Sequence, residues 1–200
     1  MPTVIKNGTC VTASDIVKAD ILIDGEKIAV IGEGLETEGA QVIDATERYV
    51  LPGGIDVHTH LQLPVGVTES SDDFYTGHKA AACGGTTTHI DFAIPNKGEP
   101  LRKGIEAWHR KAVDKAVIDY AYHANLVEWN DAIIDEIPSL LDEGVSSIKA
   151  LMAYKGRLQI DDTGLFRTLQ KARDCGILTM VHCENGDAID VLIQQARDNG

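Results

Sequence analysis

The sequence predicts an α/β protein: a parallel sheet of repeated strand–helix units, preceded by a short all-strand segment. Three observations carry this. After Leu51-Pro52-Gly53-Gly54, apolar runs recur at a spacing of roughly 30 residues, the length of a βα unit. Runs such as TTTHIDFA and ILTMVHCE are apolar enough to be buried on both faces, as parallel strands are. Before residue 50 the chain instead alternates apolar and polar residues between turn signals, with no amphipathic helix.

In residues 3–50, TVIKNGTCVT, ADILIDGEKIAVIG and AQVIDATERYVL read as strands, with Asn7-Gly8 and Asp24-Gly25 as hairpin turns. The segment is too short for a confident core of its own, so it is expected to complete a sheet with other strands. Two domains are therefore predicted, 1–52 and 53–200. In the second, five strands are read at 55–60, 86–93, 119–127, 146–153 and 177–184. Helical patterns follow at 71–84, 100–116, 130–143, 162–175 and 185–198. Asp161-Asp162 and Asn185 stand where helices start, Gly144 and Gly176 where they stop. The pattern fits an open doubly wound sheet or a closed (β/α)8 barrel. The barrel needs eight units and about 250 residues, so five units would leave it three short.

Composition narrows the partners. Apolar residues make up 44% and charged residues 24%, ordinary values for a globular chain. With 18 Lys+Arg against 31 Asp+Glu, the net charge of −13 repels phosphate backbones and anionic lipid, so neither nucleic acid nor a membrane surface is expected as a partner. The N-terminus lacks a basic stretch followed by an apolar one, so no signal peptide is expected. Cys10, Cys83, Cys175 and Cys183 are scattered with no C-x-x-C pair, which reads as reduced buried thiols and a cytoplasmic location.

In parallel α/β proteins function gathers at the carboxyl ends of the strands. There the first strand carries His58 and His60, the fourth carries Lys149 with Tyr154 just beyond, and the fifth carries His182. Residues two apart on a strand point to one face, so His58 and His60 can share a metal ion such as zinc, copper, iron or nickel. An interior pair satisfied by hydrogen bonds is the plain alternative. Lys149 lies within SSIKALMA, where an unpaired ammonium is costly. It could serve as an amine nucleophile, take up carbon dioxide as a carbamate, or reach the rim through its aliphatic stem.

PGGIDVHTH at 52–60, AAACGGTTTHIDF at 80–92, SSIKALMAY at 146–154 and MVHCENGD at 180–187 together resemble the cyclic amidohydrolases, and within them the dihydropyrimidinase/hydantoinase group. The resemblance covers essentially the whole chain with the four motifs in order. It implies a TIM-type (β/α)8 barrel beside a small β-sandwich to which the N-terminal strands belong. It implies two divalent metal ions, zinc in most such enzymes, although manganese, cobalt and nickel suit the same donors. His58 and His60 would hold the more buried ion, N6-carboxylated Lys149 would bridge both, and His182 would hold the second. Tyr154 would hydrogen-bond the substrate carbonyl. Leu63 and Val65, in the loop LQLPVGVTESSDDF, and Leu151 would line the substrate pocket.

The implied reaction is hydrolysis of a cyclic ureide, a dihydropyrimidine or a 5-substituted hydantoin, to an N-carbamoyl amino acid. A homotetramer is implied by the group's habit. A further histidine and an aspartate of the group's metal site are expected beyond Gly200, so the chain alone is expected to be inactive. It would be a fragment of a longer enzyme or a piece completed by another chain. Allantoinase or dihydroorotase activity is the nearest alternative, though HLQLPVG lacks the anion-binding arginine those would want. A non-catalytic scaffold would have no use for intact His58, His60, Lys149 and His182.

Other residues read as ordinary. His78 and His109 are expected to face solvent, and His89 and His123 to be core residues or supports of the site. Cys183 is expected to pack. Asp72-Asp73 reads as a helix cap and Asp91 as a carboxylate that could orient a ligand histidine.

Overall fold

A computed structural model describes residues Met1–Gly200. They form two compact units, Met1–Gly53 and Gly54–Gly200. The first is one mixed sheet of β1 (Thr3–Val11), β2 (Ile16–Asp24), β3 (Lys27–Gly32), β4 (Gln41–Asp44) and β5 (Tyr49–Val50). Its order is β3-β2-β1-β4, with β5 also on β1. Asp24-Gly25 opens a tight hairpin, since Asp24 pairs with Lys27 and Gly25 has φ +60°. Asn7-Gly8 does not turn the chain. It lies inside β1, where the register against β2 slips between Ile5 and Gly8 and Asn7 adopts φ +64°. The dipeptide that favours left-handed backbone in a turn serves here as a bulge.

Asp20 holds that bulge. Its carboxylate accepts from Lys6 Nζ at 2.6 Å, Asn7 N at 2.9 Å and Leu35 N at 3.1 Å. The Lys6 hydrogen bond leads in holding its pKa down to about 2. The rest of this unit's core is small (Cys10, Ala19, Ile21), and Ile28, Ile31 and Val42 are exposed.

The second unit contains β6 (Gly54–Thr59), a short hairpin of β7 (Pro64–Val65) and β8 (Thr68–Glu69), α1 (Phe74–Cys83), β9 (Thr86–Ala93), α2 (Leu101–Ala112), β10 (Asp119–Asn125), α3 (Asp131–Glu136), β11 (Ser147–Leu151), α4 (Asp162–Cys175), β12 (Leu178–His182) and α5 (Gly186–Asn199). Its main sheet runs β6-β9-β10-β11-β12, every pair parallel. Strand order follows chain order without the reversal a doubly wound sheet requires. The sheet curls. His123 Nε2 on β10 reaches the Val57 carbonyl on β6 at 2.9 Å, across β9, whereas a flat sheet separates such strands by roughly 10 Å.

Local chemistry sets the helix ends. Asp73, Asn130, Asp161 and Asn185 each accept from a backbone N–H of the first turn, and Asp73 forms a reciprocal pair with Thr76. Helix α2 starts at Pro100 with no cap of its own, and Glu136 of α3 takes Leu101 N and Arg102 N instead. Gly176 closes α4 at φ +73°. The predicted helix over 130–143 divides. Pro138, which has no N–H to give, sends the chain from α3 into a 3-10 turn at Ile137–Leu141. Helix α2 buries Leu101, Ile105, Trp108 and Ala112 on one stripe against Tyr122 and Ala124 of β10.

His78 faces inward, not into solvent. It is 1% exposed and its ring packs edge-on against His89 at 4.3 Å between centroids, next to Phe74. The α1 pattern hid this because FYTGHKAAAC is mostly small and polar residues after Phe74 and leaves no clear apolar stripe. His109 is exposed, as expected. Burial pushes His89 down to about 4, helped by His78.

A histidine held below its ordinary pKa of about 6.5 disfavours the fold as acid protonates the unfolded chain first, so stability is lost as pH falls from about 6.5 to about 4. Asp91, pushed up to about 6 by burial, works in the opposite sense over much of that range. His89→Gln should therefore lose less melting temperature than the parent between about pH 7 and pH 5. Thermal unfolding followed by circular dichroism at the two pH values measures it; equal losses would refute the assignment.

Candidate metal centre and substrate site

Strand β6 is irregular at its carboxyl end. Asp56 pairs with His89 and Thr59 with Asp91, so three steps on β6 match two on β9. This bulge falls at Val57-His58, immediately before the H-x-H pair, and bulges re-aim side chains beside functional sites. The His58 and His60 rings then lie on the concave side of the sheet, 5.2 Å apart between centroids and edge to face. Both pack on Phe92, at 4.6 and 4.9 Å. Lys149 Nζ lies 5.7 Å from the same ring. Phe92 is 2% exposed, a buried floor beneath two exposed imidazoles and a half-buried amine.

The chain leaves the ring nitrogens available. His58 enters the hydrogen-bond network through its backbone N–H and His60 through its carbonyl. Partial burial, the His58 ring and the Lys149 charge each lower the pKa of His60, keeping it in the neutral form a metal requires. No three His, Cys, Asp or Glu side chains converge as a ligand set. What converges is two imidazoles and an amine, and the amine is the one group whose chemistry can change sign. Asn125 is in register with Lys149, and its buried Oδ1 has no hydrogen-bond partner. Two free imidazoles, an amine and an orphaned acceptor at one strand end fit a cationic centre once the lysine carries a carboxylate.

His182 stands one strand further on, opposite Leu151 in the ladder, while Lys149 lies opposite Met180. Its Nε2 pairs with Glu184, and its ring lies 5.6 Å from Tyr154. Tyr154 follows β11 at φ +64° and is 52% exposed. Its carbonyl gathers the N–H groups of Arg157, Leu158 and Gln159, so the turn is internally tied. Lys97 Nζ holds the Gly156 carbonyl at 3.0 Å, and Lys155 pairs with Asp187 of α5. Gly186 N bonds the Met152 carbonyl, and a Cβ at Gly186 would come within 2.8 Å of that oxygen. A side chain at Gly186 would thus push on the segment that carries Tyr154.

The pocket residues divide. Leu63 packs against the main apolar core, and Leu151 is 7% exposed within β11. Val65, in the β7–β8 hairpin, is 57% exposed. Of the four thiols expected to be buried only Cys10 is; Cys175 is half-buried, Cys83 is exposed at the end of α1, and Cys183 is exposed just past the end of β12 and does not pack. Strand β12 stops at His182, two residues before its expected end, so alternation no longer turns Cys183 inward.

Asp91 is fully buried but does not touch a histidine of the H-x-H pair. Its Oδ2 accepts from Leu61 N at 2.8 Å and lies 3.3 Å from Thr59 Oγ1, and its Oδ1 accepts from Trp108 Nε1 at 3.1 Å. Lys111 sits over the Trp108 ring at 3.7 Å and donates to the Gln62 carbonyl. His123 is bonded at both nitrogens, to Ser147 Oγ at 2.6 Å and to the Val57 carbonyl. A carbonyl only accepts, so Nε2 carries the proton and Nδ1 accepts from Ser147. These residues and their partners sit in four strands (β6, β9, β10 and β11), the loop after β6 and α2, which no sequence spacing brings together.

A family model described as "Amidohydrolase family" matches residues 49–198. The chain is 56% identical over 201 residues to a D-hydantoinase of Geobacillus stearothermophilus, covering 100% of this chain and 43% of that protein. It superposes with a TM-score of 0.97 on a crystal structure of dihydropyrimidinase from Brevibacillus agri NCHU1002, at 52% identity, over 100% of this chain and 44% of that one. For the L-hydantoinase (dihydropyrimidinase) of Arthrobacter aurescens the TM-score is 0.83 at 28% identity, over 99% and 44%. The chain spans less than half the length of these relatives. From the curled parallel sheet, the convergence at its carboxyl edge and these likenesses, the chain belongs to the amidohydrolase family.

Proposed function

We propose that this chain supplies the first half of the active site of a metal-dependent hydrolase that opens cyclic ureides, dihydropyrimidines or 5-substituted hydantoins, to N-carbamoyl amino acids. The convergence of His58, His60 and Lys149 on Phe92 carries this reading. The five parallel strands are the first five of a (β/α)8 barrel, in keeping with relatives more than twice this length. The exposed apolar residues of β3 and β4 support a second sheet over the first unit, as in a β-sandwich. A homotetramer in the cytoplasm completes the reading.

His58 and His60 would hold one ion, His182 the second, and Lys149 both. The Lys149 ammonium would first give up a proton, and the neutral amine would then add to the carbon of CO2 and release a second proton, leaving an anionic carbamate beside two imidazoles. Two divalent ions, zinc by the donor types, would supply a water that is deprotonated at neutral pH and a polarised ring carbonyl. Tyr154 then donates its hydroxyl to the oxygen that gains charge as the ring carbonyl carbon is attacked. The carbon–nitrogen bond breaks, and the ring nitrogen takes a proton to become the carbamoyl NH2. Leu63, Val65 and Leu151 would receive the ring substituent. The identity of 56% to a D-hydantoinase, against 28% to an L-hydantoinase, supports D-selectivity.

In the full-length enzyme carrying this sequence, Lys149→Ala should lower bound metal from about two ions per subunit and abolish ring opening. Elemental analysis, with the mass of the Lys149 peptide measured under bicarbonate, decides it; full metal content in the variant would sink the bridging role. Tyr154→Phe should cut kcat by about a hundredfold with metal content unchanged, as loss of one oxyanion donor does. Chiral chromatography of product from a racemic 5-substituted hydantoin should show the N-carbamoyl-D-amino acid; the L product would reverse the assigned selectivity.

A further inference from the structure

The peptide units on either side of the H-x-H pair are gripped by side chains rather than by the sheet ladder. The bulge removes Val57 and His58 from pairing with β9. The carbonyl of the Val57–His58 peptide is taken by His123 Nε2 at 2.9 Å, and its N–H by Asp56 Oδ1 at 3.1 Å. The peptide after the pair repeats the arrangement. The His60 carbonyl accepts from Ser70 Oγ at 2.8 Å, and Leu61 N donates to Asp91 Oδ2 at 2.8 Å. Between them Thr59 Oγ1 lies against Asp91. Three of the four holders are themselves held: His123 by Ser147, Asp91 by Trp108, and Ser70 Oγ by Leu63 N at 2.8 Å.

We propose that Asp56, His123, Ser70 and Asp91 are positioning residues that clamp these two peptide planes and so aim the His58 and His60 rings at a shared metal ion. The inference rests on the metal reading above and extends it to residues that touch neither ring. A bulged strand end has lost the hydrogen bonds that would fix its orientation, and four side-chain bonds replace them. The cost of a slack ligand pair falls on metal affinity, since supports of metal ligands typically change it by 10–100-fold.

Asp56 and Ser70 lie outside the buried core, so their variants test the clamp without opening the interior. Zinc titration of the metal-free full-length enzyme should show Ser70→Ala and Asp56→Ala binding 10–100-fold more weakly than the parent, with the melting temperature of the metal-free protein unchanged. Ser70→Thr and Asp56→Asn, which keep the hydroxyl and the acceptor oxygen, should restore affinity. The visible spectrum of the cobalt(II)-loaded alanine variants should shift as the ligand geometry loosens. Parent-like affinity and spectrum in both alanine variants, with metal lost in His58→Ala, would overturn the clamp and leave the metal centre standing. Equal zinc binding by the parent and His58→Ala, or none by the parent, would overturn the metal reading and the clamp with it.

Discussion

One phenyl ring sets the terms at the carboxyl edge of the sheet. His58, His60, His123 and Lys149 all lie against or near Phe92, which offers no hydrogen bond to any of them. Around such a surface each polar group must find a partner elsewhere, stay neutral, or wait for a ligand. His123 finds Ser147 and a backbone carbonyl. His60 is held toward neutrality by partial burial and by the charges beside it. His58 and Lys149 keep ends that nothing in the chain satisfies, which leaves them available to a ligand.

The surrounding architecture serves that edge. Parallel pairing in chain order brings every strand out on the same side, and the curl of the sheet lets β10 touch β6 across β9. Side-chain caps fix where α1, α4 and α5 begin. The loops are not loose. Asp91, Trp108 and Lys111 tie the segment after β6 to α2, and Lys97 with Asp187 ties the Tyr154 turn to its neighbours.

Much of this was legible in the chain. Four of the five parallel strands fall within the runs expected of them and β6 starts one residue early, because strands buried on both faces leave an apolar signature that edge or surface strands do not. His58, His60, His182 and Lys149 stood out as polar groups at the ends of those runs. Three things were not legible. Asn7-Gly8 looks like a turn, and only the neighbouring strands show that it bulges. His78 looks like a surface residue until His89 is placed beneath it. Asp91 looks like a partner for a histidine ring, yet it serves the backbone instead.

The sequence by itself determined the strand–helix rhythm, where α4 and α5 begin and which residues stand at the carboxyl ends of the strands. These follow from periodicity, capping side chains and residue type, all of which act over a few neighbouring positions. Tertiary structure alone decided which of the histidines are free and which are bound. It placed the bulge before His58, brought Asp56, His123, Ser70 and Asp91 to the two peptides around the H-x-H pair, and set Phe92 under the rings. Those contacts join residues up to 66 positions apart, and a hydrogen bond between two strands of a curled sheet has no trace in the spacing of either.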